Sequence, residues 1–381
     1  MRPRVGLNLV FLVPGETGGM EIYARELISA LHARGDVELV AFVNREAAAA
    51  GDDPWPGADE TIVVPVHARN RVEWVRGEQQ LLPPRARRAR VDLVHSLGST
   101  SPAWGRFRRV VTIQDLVYKI QPEAHLGVKG LGMRLLVPLA ARRSDRILTP
   151  SRSTADDLVE HLHVPRERID VVPLGLGATA VSTPLPEDEV RELLETSPER
   201  PIALSVSAKR PHKNFARLID ALALIPAERR PLLVLPGYAT PHEAELRERA
   251  VSAGVAADVR FLGWIDVATL DGLYAASACF VFPSLYEGFG LPIVEAMARG
   301  LPVASSARGS LGEVAADAAL LFDPEQPAQI AAAIERIIGD PAEAERLRAA
   351  GHERASRFTW ESAAAGTLAT YERVLSERGR E

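Results

Sequence analysis

The 381-residue chain contains one cysteine, Cys279. An intramolecular disulfide, a cysteine-based zinc site and an iron–sulfur cluster are thereby excluded. Cys279 sits in an apolar run, 278–282, where a thiol is a buried bystander rather than a nucleophile. No apolar stretch reaches the ~18 residues that a membrane span needs. The opening Met1-Arg2-Pro3-Arg4-Val5 has neither the apolar region nor the cleavage site of a signal peptide. The expectation is a reduced, cytoplasmic protein. Charge of one sign is scarce as well: a formal −5 gives no general attraction for nucleic acid. No G-x-G-x-x-G follows the first strand and no P-loop Lys-Ser/Thr is present, which disfavours dinucleotide dehydrogenases and P-loop NTPases. Solenoid repeats and low-complexity runs are missing too. A D-x-D pair at a strand end is also lacking, since Asp52-Asp53 falls in a loop and Asp156-Asp157 at a helix start. No metal site is expected.

The chain is 46% hydrophobic and 25% charged, an ordinary globular composition, and its length suits about two domains. Short apolar runs alternate with helical patterns, the signature of parallel βαβ units. The spacing predicts strands at 5–13, 38–43, 61–66, 93–95, 109–113, 146–150 and 170–172. Helices are predicted at 21–34 and at 153–162, the latter capped by Ser153. A Gly-, Ala-, Ser-, Thr- and Pro-rich stretch over 174–189 reads as a linker. A second series follows, with strands at 202–207, 232–236, 259–262, 279–283, 303–305 and 319–322. Its helices fall at 215–224, 241–253, 269–276, 292–299, 311–315 and 327–338. Two open parallel sheets place ligands at the carboxyl ends of their strands. Residues 69–109 hold ten arginines, Arg69, Arg71, Arg76, Arg85, Arg87, Arg88, Arg90, Arg106, Arg108 and Arg109. Such a cluster is either a solvated face or a surface for phosphates or an anionic membrane.

The densest chemical signal is Tyr286-Glu287-Gly288-Phe289-Gly290-Leu291-Pro292-Ile293-Val294-Glu295-Ala296. It leaves a strand and opens a helix, with Pro292 suited to the first helical position. The free N–H groups and positive dipole end of such a helix attract an anion. Glu287 and Glu295 bracket the turn, and carboxylates accept hydrogen bonds from vicinal hydroxyls. Phosphate donors beside sugar acceptors describe a nucleotide-sugar site; the competing reading is a turn cap and an exposed helix residue. Val206-Ser207-Ala208-Lys209-Arg210-Pro211-His212-Lys213-Asn214 brings three cations to a strand-to-helix turn, where they suit a pyrophosphate or simply meet solvent. Pro14-Gly15-Glu16-Thr17-Gly18-Gly19-Met20-Glu21 makes a glycine-rich turn after the first strand.

Together these segments resemble the retaining glycosyltransferases of family 4, which have the GT-B fold. The E-x7-E signature matches Glu287 and Glu295, around Gly288-Phe289-Gly290-Leu291-Pro292. Gly309-Ser310-Leu311-Gly312-Glu313-Val314, with Ser310 and Glu313 as a capping box, also follows the pattern. So do Pro211-His212-Lys213-Asn214, Gly18-Gly19-Met20-Glu21, Thr149-Pro150-Ser151 and Arg357-Phe358-Thr359-Trp360-Glu361. The resemblance implies an α/β protein of two Rossmann-like domains facing across a cleft. Residues 1–175, with 361–381 crossing back as a final helix, form the acceptor side, and 176–360 the donor side.

Carried over by residue, Glu295 holds the nucleotide ribose and Glu287 lies by the donor sugar. The backbone at Phe289, Gly290 and Leu291 contacts sugar and phosphate. Lys213, with Arg210 or Lys209, neutralises the pyrophosphate, and Gly18 and Gly19 complete that pocket. The base rests near Gly237 and the Gly263-Trp264-Ile265 turn. Gln114 and Asp115 stand on the acceptor side, Gln114 where many members carry His. Gln donates and accepts hydrogen bonds without exchanging a proton near neutral pH. The implied activity is metal-independent, front-face transfer from a nucleoside-diphosphate sugar, a co-substrate rather than a cofactor, with retention. The acceptor is a glycan, a lipid-linked hydroxyl or a small molecule, and the Arg cluster favours peripheral attachment at the inner membrane face. GT-B folds also host nucleotide-sugar epimerases and phosphorolytic enzymes, and a non-catalytic binding subunit is a third reading.

Overall fold

The computed structural model describes residues 2–51, 55–121, 128–177 and 183–376. The Asp52-Asp53 pair, the stretch 178–182 of the expected linker and the tail 377–381 lie outside these described residues. Two compact units emerge, Met1–Gly177 with Thr359–Glu381, and Ala178–Phe358. The expected linker is shorter than its composition implied. Leu174 is buried in the first unit, Leu185 donates its N–H to Ala268 of the second at 2.9 Å, and a helix already begins at Glu187.

The first unit contains β1 (Arg4–Leu9), β2 (Glu38–Val43), β3 (Glu60–Val63), β4 (Leu93–Ser96), β5 (Arg108–Thr112), β6 (Arg146–Thr149) and β7 (Ile169–Val171). They form one sheet in the order β3-β2-β1-β4-β5-β6-β7, every pair parallel. Parallel strands buried on both faces read as near-continuous apolar runs, which is why β1 and β2 were legible from Val5, Leu7, Leu9, Val40 and Phe42. The helix Gly19–Arg34 turns Tyr23, Leu27, Ile28 and Leu31 inward and stops at Gly35, whose φ of 67° suits glycine.

The second unit holds β8 (Ile202–Leu204), β9 (Leu232–Leu235), β10 (Val259–Phe261), β11 (Cys279–Phe282), β12 (Val303–Ser306) and β13 (Ala319–Phe322). Their order is β10-β9-β8-β11-β12-β13, again all parallel. Its core packs Phe215, Leu218 and Ile219 of one helix and Ile330, Ile334 and Ile337 of another against Leu233, Leu235 and Val281. In each sheet the order reverses once, between β1 and β4 and between β8 and β11. Open α/β sheets receive ligands where the order reverses.

Several expectations need correction. The helix Arg152–Leu162 is capped by Ser151, which accepts from the Thr154 N–H at 3.0 Å, and not by Ser153. Several helical stretches were not foreseen, the short Glu187–Leu193 among them. Val128–Arg143 carries Pro138 in its interior, and Pro341–Ala355 buries small residues, Ala344, Gly351 and Ala355, around a single Leu347, a weak apolar signal. Arg71–Arg76 and Leu82–Arg88 are joined through a π-helical turn, Gly77–Leu81, that carries the chain past its glycine.

The last helix, Trp360–Ser376, belongs to the first unit and packs on the helix Gly19–Arg34 and on β5 and β6. A buried polar chain holds it. Tyr371 OH meets His95 Nδ1 at 2.7 Å, and His95 Nε2 meets Thr112 Oγ1 at 2.8 Å. Tyr23 OH then reaches the same Thr112 hydroxyl at 2.9 Å. Burial depresses the His95 pKa to about 3, so the ring is neutral and its two nitrogens split as donor and acceptor. Thr370 donates to Asp170, which also takes a two-pronged contact from Arg146.

Candidate active site

The β8 exit sets the first half of the site. After Leu204 the chain crosses Ser205–Arg210 and makes a 3-10 turn, Pro211–Lys213, before the helix Phe215–Leu224. Asn214 joins turn to helix at φ 61°, a left-handed conformation that asparagine tolerates better than most residues. Its amide donates to the carbonyls of Pro283 at 3.0 Å and Pro324 at 2.8 Å. One side chain thus ties the exits of β8, β11 and β13. The His212 carbonyl accepts from Leu285 N–H at 2.8 Å and from the Ser284 hydroxyl at 3.1 Å, locking the β8 and β11 loops together again.

The β11 exit supplies the second half. Gly290 caps the helix Leu291–Ala298 at φ 102°, and Pro292 takes its second position. An added Cβ at Gly290 would stand 2.6 Å from Leu311 Cδ2, so both backbone shape and space call for glycine. Ser310 does not form the expected capping box. It is the first residue of its helix, after Gly309, and its hydroxyl points back to the carbonyls of Glu287 at 2.7 Å and Phe289 at 3.2 Å. Free of capping duty, Ser310 pins the glycine loop. Phe289 is buried edge-on against Phe358, with ring centroids 5.4 Å apart.

The two halves meet in an ion pair. Lys213 Nζ lies 2.5 Å from Glu287 Oε1, and both side chains are mostly buried, at 17% and 15% exposure. The pair sits where the order of the second sheet reverses, next to a helix start that no side chain caps. Arg210 is exposed and makes no ion pair among the described residues. Glu295 lies half-buried on the helix, with Tyr274 OH 3.4 Å from its Oε2. Burial raises its pKa, against the pull of nearby Arg299, which is itself held by Asp271. A carboxylate with one long hydrogen bond has acceptor capacity left for hydroxyl groups.

Lys209 goes elsewhere. Sequence reading set it beside Arg210 as an alternative phosphate cation, but its side chain is fully buried. Its Nζ donates to the carbonyls of Gly237 and Leu262, behind the β9 and β10 exits. The Gly237 N–H donates to Gly263 O at 3.0 Å, so these two exits also hold each other. Beside Gly237 and Gly263, the exposed rings of Tyr238 and Trp264 stack 4.6 Å apart, with 21° between planes. Ile265 follows in the same turn.

The first unit places its candidates at the carboxyl ends of its own strands. Gly18 caps the helix Gly19–Arg34 at φ 61°, and a Cβ on Gly18 or Gly19 would meet nothing within 4 Å. Thr17 shapes this turn by bonding both backbone groups of Val13, and Glu21 accepts from Gly15 N–H at 2.7 Å. Gln114 stands just beyond β5, its Nε2 buried and without a hydrogen-bond partner among the described residues. Asp115 accepts from Val117 N–H at 2.9 Å, just ahead of the single helical turn Val117–Ile120.

Comparison with known proteins decides the kinship. Residues 17–177 match the family described as Glycosyltransferase Family 4, and residues 186–354 match Glycosyl transferases group 1. An O-antigen chain mannosyltransferase B of Escherichia coli is 32% identical over 271 residues, covering 69% of this chain and 70% of that protein. The chain belongs to the family 4 glycosyltransferases. A sucrose-phosphate synthase from Thermosynechococcus elongatus superposes with a TM-score of 0.77 at 25% identity, over 99% of this chain and 100% of that one. An Anabaena protein, HepE, solved with UDP and glucose, shares the fold at TM-score 0.75 and 20% identity, over 98% and 100% of the two chains. The family 4 enzyme described here is a glycosyltransferase with the two α/β domains of the GT-B fold. Tyr274 is the supporting residue that no sequence motif marked, whereas Asn214 and Ser310 lay within marked motifs whose contacts only the structure shows.

Proposed function

We propose that the protein transfers a sugar from a nucleoside-diphosphate donor to an acceptor hydroxyl, with retention at the anomeric carbon and without a metal ion. The observation that carries this reading is the Lys213–Glu287 pair beside the uncapped start of the helix Leu291–Ala298. A diphosphate arriving there competes with Glu287 for the ammonium. Lys213 then neutralises phosphate charge, and Glu287 is released to accept hydroxyls of the sugar. Fixed cations and backbone amides aimed at the departing diphosphate stabilise charge as it develops, usually the largest catalytic contribution. Arg210, exposed and unpaired, joins Lys213 when the donor is in place. Glu295 takes the ribose hydroxyls, and the base lies by Gly237 and the Gly263–Ile265 turn. In the first unit, Gly18 and Gly19 leave room for the donor, and Gln114 and Asp115 face the acceptor. Departure and attack occur on one face, with the diphosphate oxygen taking the acceptor proton.

The mannosyltransferase relative makes mannosyl donors the first to test, and the neighbour solved with UDP supports a nucleotide donor. Glycan, lipid-linked and small-molecule hydroxyls are the acceptor classes to screen. We place the enzyme in the cytoplasm, peripheral at the inner membrane face. Arg71, Arg76, Arg87, Arg88, Arg90 and Arg106 are exposed in support of this. Among the described residues no helix is long and apolar enough to cross a membrane. Glu287→Gln and Lys213→Ala are each expected to lower transfer from a matched donor by at least ~100-fold, within the range seen for removal of one stabilising donor. NMR of the product reports the anomeric configuration. Near-normal transfer by both variants, or an inverted product, overturns the reading; isomerised donor without acceptor would reveal an epimerase.

A further inference from the structure

Lys209 has a position that phosphate binding does not explain. It is a lysine with no exposed surface, and it feels the charges of Glu243 and Arg247. Burying an ammonium is costly unless hydrogen bonds satisfy it. Here they do: Nζ serves the Gly237 and Leu262 carbonyls, at the ends of neighbouring strands β9 and β10. The backbone is committed to the same corner. Lys209 N–H donates to Tyr238 O at 3.2 Å, Ser207 N–H donates to Pro236 O at 3.1 Å, and the Thr240 hydroxyl donates to Lys209 O. Gly237, at φ 131°, approaches so closely that a Cβ there would stand 2.2 Å from Ser207 O. One side chain therefore fixes the spacing of three adjacent loops, from β8, β9 and β10.

Immediately beyond that fastening lie two large aromatic rings in water. Tyr238 is 46% and Trp264 71% exposed, yet they are stacked. Each follows by one residue a glycine in the Gly237–Gly263 hydrogen bond. An exposed, nearly parallel aromatic pair on a fixed base offers a flat face to a flat ring, and a nucleobase stacks on such a side chain whatever its identity, since every base has a π-face. We propose that Lys209 is a positioning residue whose buried ammonium, shared between the Gly237 and Leu262 carbonyls, sets the Tyr238–Trp264 stack as the platform for the donor's nucleobase. This rests on the nucleotide-donor reading above. Lys209 touches neither phosphate nor sugar, and acts through the two turns it joins.

The test measures dissociation constants for UDP, GDP, ADP and inorganic pyrophosphate by calorimetry, on wild type, Lys209→Met, Lys209→Arg and Trp264→Ala. Lys209→Met is expected to weaken the best nucleoside diphosphate tenfold or more and to leave pyrophosphate within twofold. Trp264→Ala should show the same split, and Lys209→Arg should recover part of the affinity. Unchanged nucleoside diphosphate binding in Lys209→Met overturns the proposal, as does an equal loss of pyrophosphate. Should Lys209→Met fold poorly, the surface variant Trp264→Ala decides, and nucleotide binding indifferent to it overturns the platform. If wild type binds pyrophosphate but discriminates no nucleoside diphosphate from it, the donor reading itself fails, a result distinct from the others.

Discussion

Glu287 and Glu295 share one motif but have opposite surroundings. Glu287 is held by a lysine at 2.5 Å, whereas the Glu295 carboxylate has, among the described residues, one hydrogen bond, from a tyrosine hydroxyl at 3.4 Å, and burial raises its pKa against the pull of Arg299. Ribose hydroxyls would donate to the Glu295 carboxylate and favour its charged state. Binding should then expel a proton, and affinity should fall as pH drops from neutral through the raised pKa. Calorimetry of nucleoside diphosphate binding between about pH 5 and pH 7, in buffers of different ionisation enthalpy, measures both effects. Glu295→Gln is expected to bind about tenfold more weakly at pH 7 and to lose the proton release. Constant affinity in wild type across that range would remove Glu295 from the ribose site. The motif was legible at this scale because its glycines and carboxylates are chemical necessities of the turn. What was not legible is direction. Lys209, Arg210 and Lys213 look alike in sequence, and only tertiary contacts send one inward, one to solvent and one onto Glu287.

The strands could be read from their apolar runs, while the elements with weak or interrupted patterns could not. Val128–Arg143 has a proline inside it, Pro341–Ala355 buries mostly alanine and glycine, and the π-turn at Gly77–Leu81 has no sequence period of its own. Caps slipped by short distances: Ser151 rather than Ser153 takes the Thr154 N–H, and Ser310 yields the cap to Gly309 because its hydroxyl donates to the Glu287 and Phe289 carbonyls. The short helix Leu82–Arg88 carries the clearest surface prediction. Arg85 is spent on the carbonyls of Leu81 and Val63, so Arg87, Arg88 and Arg90 are the residues to neutralise. Replacing them with glutamine should reduce co-sedimentation with anionic vesicles, at about 1 kcal/mol per arginine. Equal sedimentation would rule the membrane out. The final helix makes a second prediction through His95. Its folded pKa, about 3, lies below the ~6.5 of an unfolded chain. The unfolded state therefore takes up a proton that the folded state refuses, and stability present above pH 6.5 is lost as pH falls toward 3. Between pH 7 and 5 this amounts to about 2 kcal/mol, measurable by urea unfolding. His95→Gln should flatten that acid limb, and an equally steep limb in the variant would refute the assignment.

At the scale of the whole molecule, the division into two units was legible because apolar strands and helical patterns recur on both sides of a turn-rich stretch. Its edges were not, since Leu174 and Leu185 are anchored by tertiary burial and pairing that no local composition announces. The second unit is contiguous in sequence and the first is not, for Thr359–Glu381 returns to it. A fragment spanning 183–358 should unfold cooperatively by itself, checked by calorimetry. A protein ending at residue 358 should keep that transition but lose the one belonging to the first unit, because the Tyr371–His95–Thr112 chain would be missing. Normal unfolding of the first unit in that truncation would contradict the structure. The order of synthesis gives this connectivity a further meaning. The strands β1 to β7 are synthesised before the helix Trp360–Ser376 that packs on them, so they wait for it while the whole of the second unit is made. The first unit is thus closed by its own C-terminal segment only after the second unit has been made, a dependence on chain order that the contiguous second unit does not have.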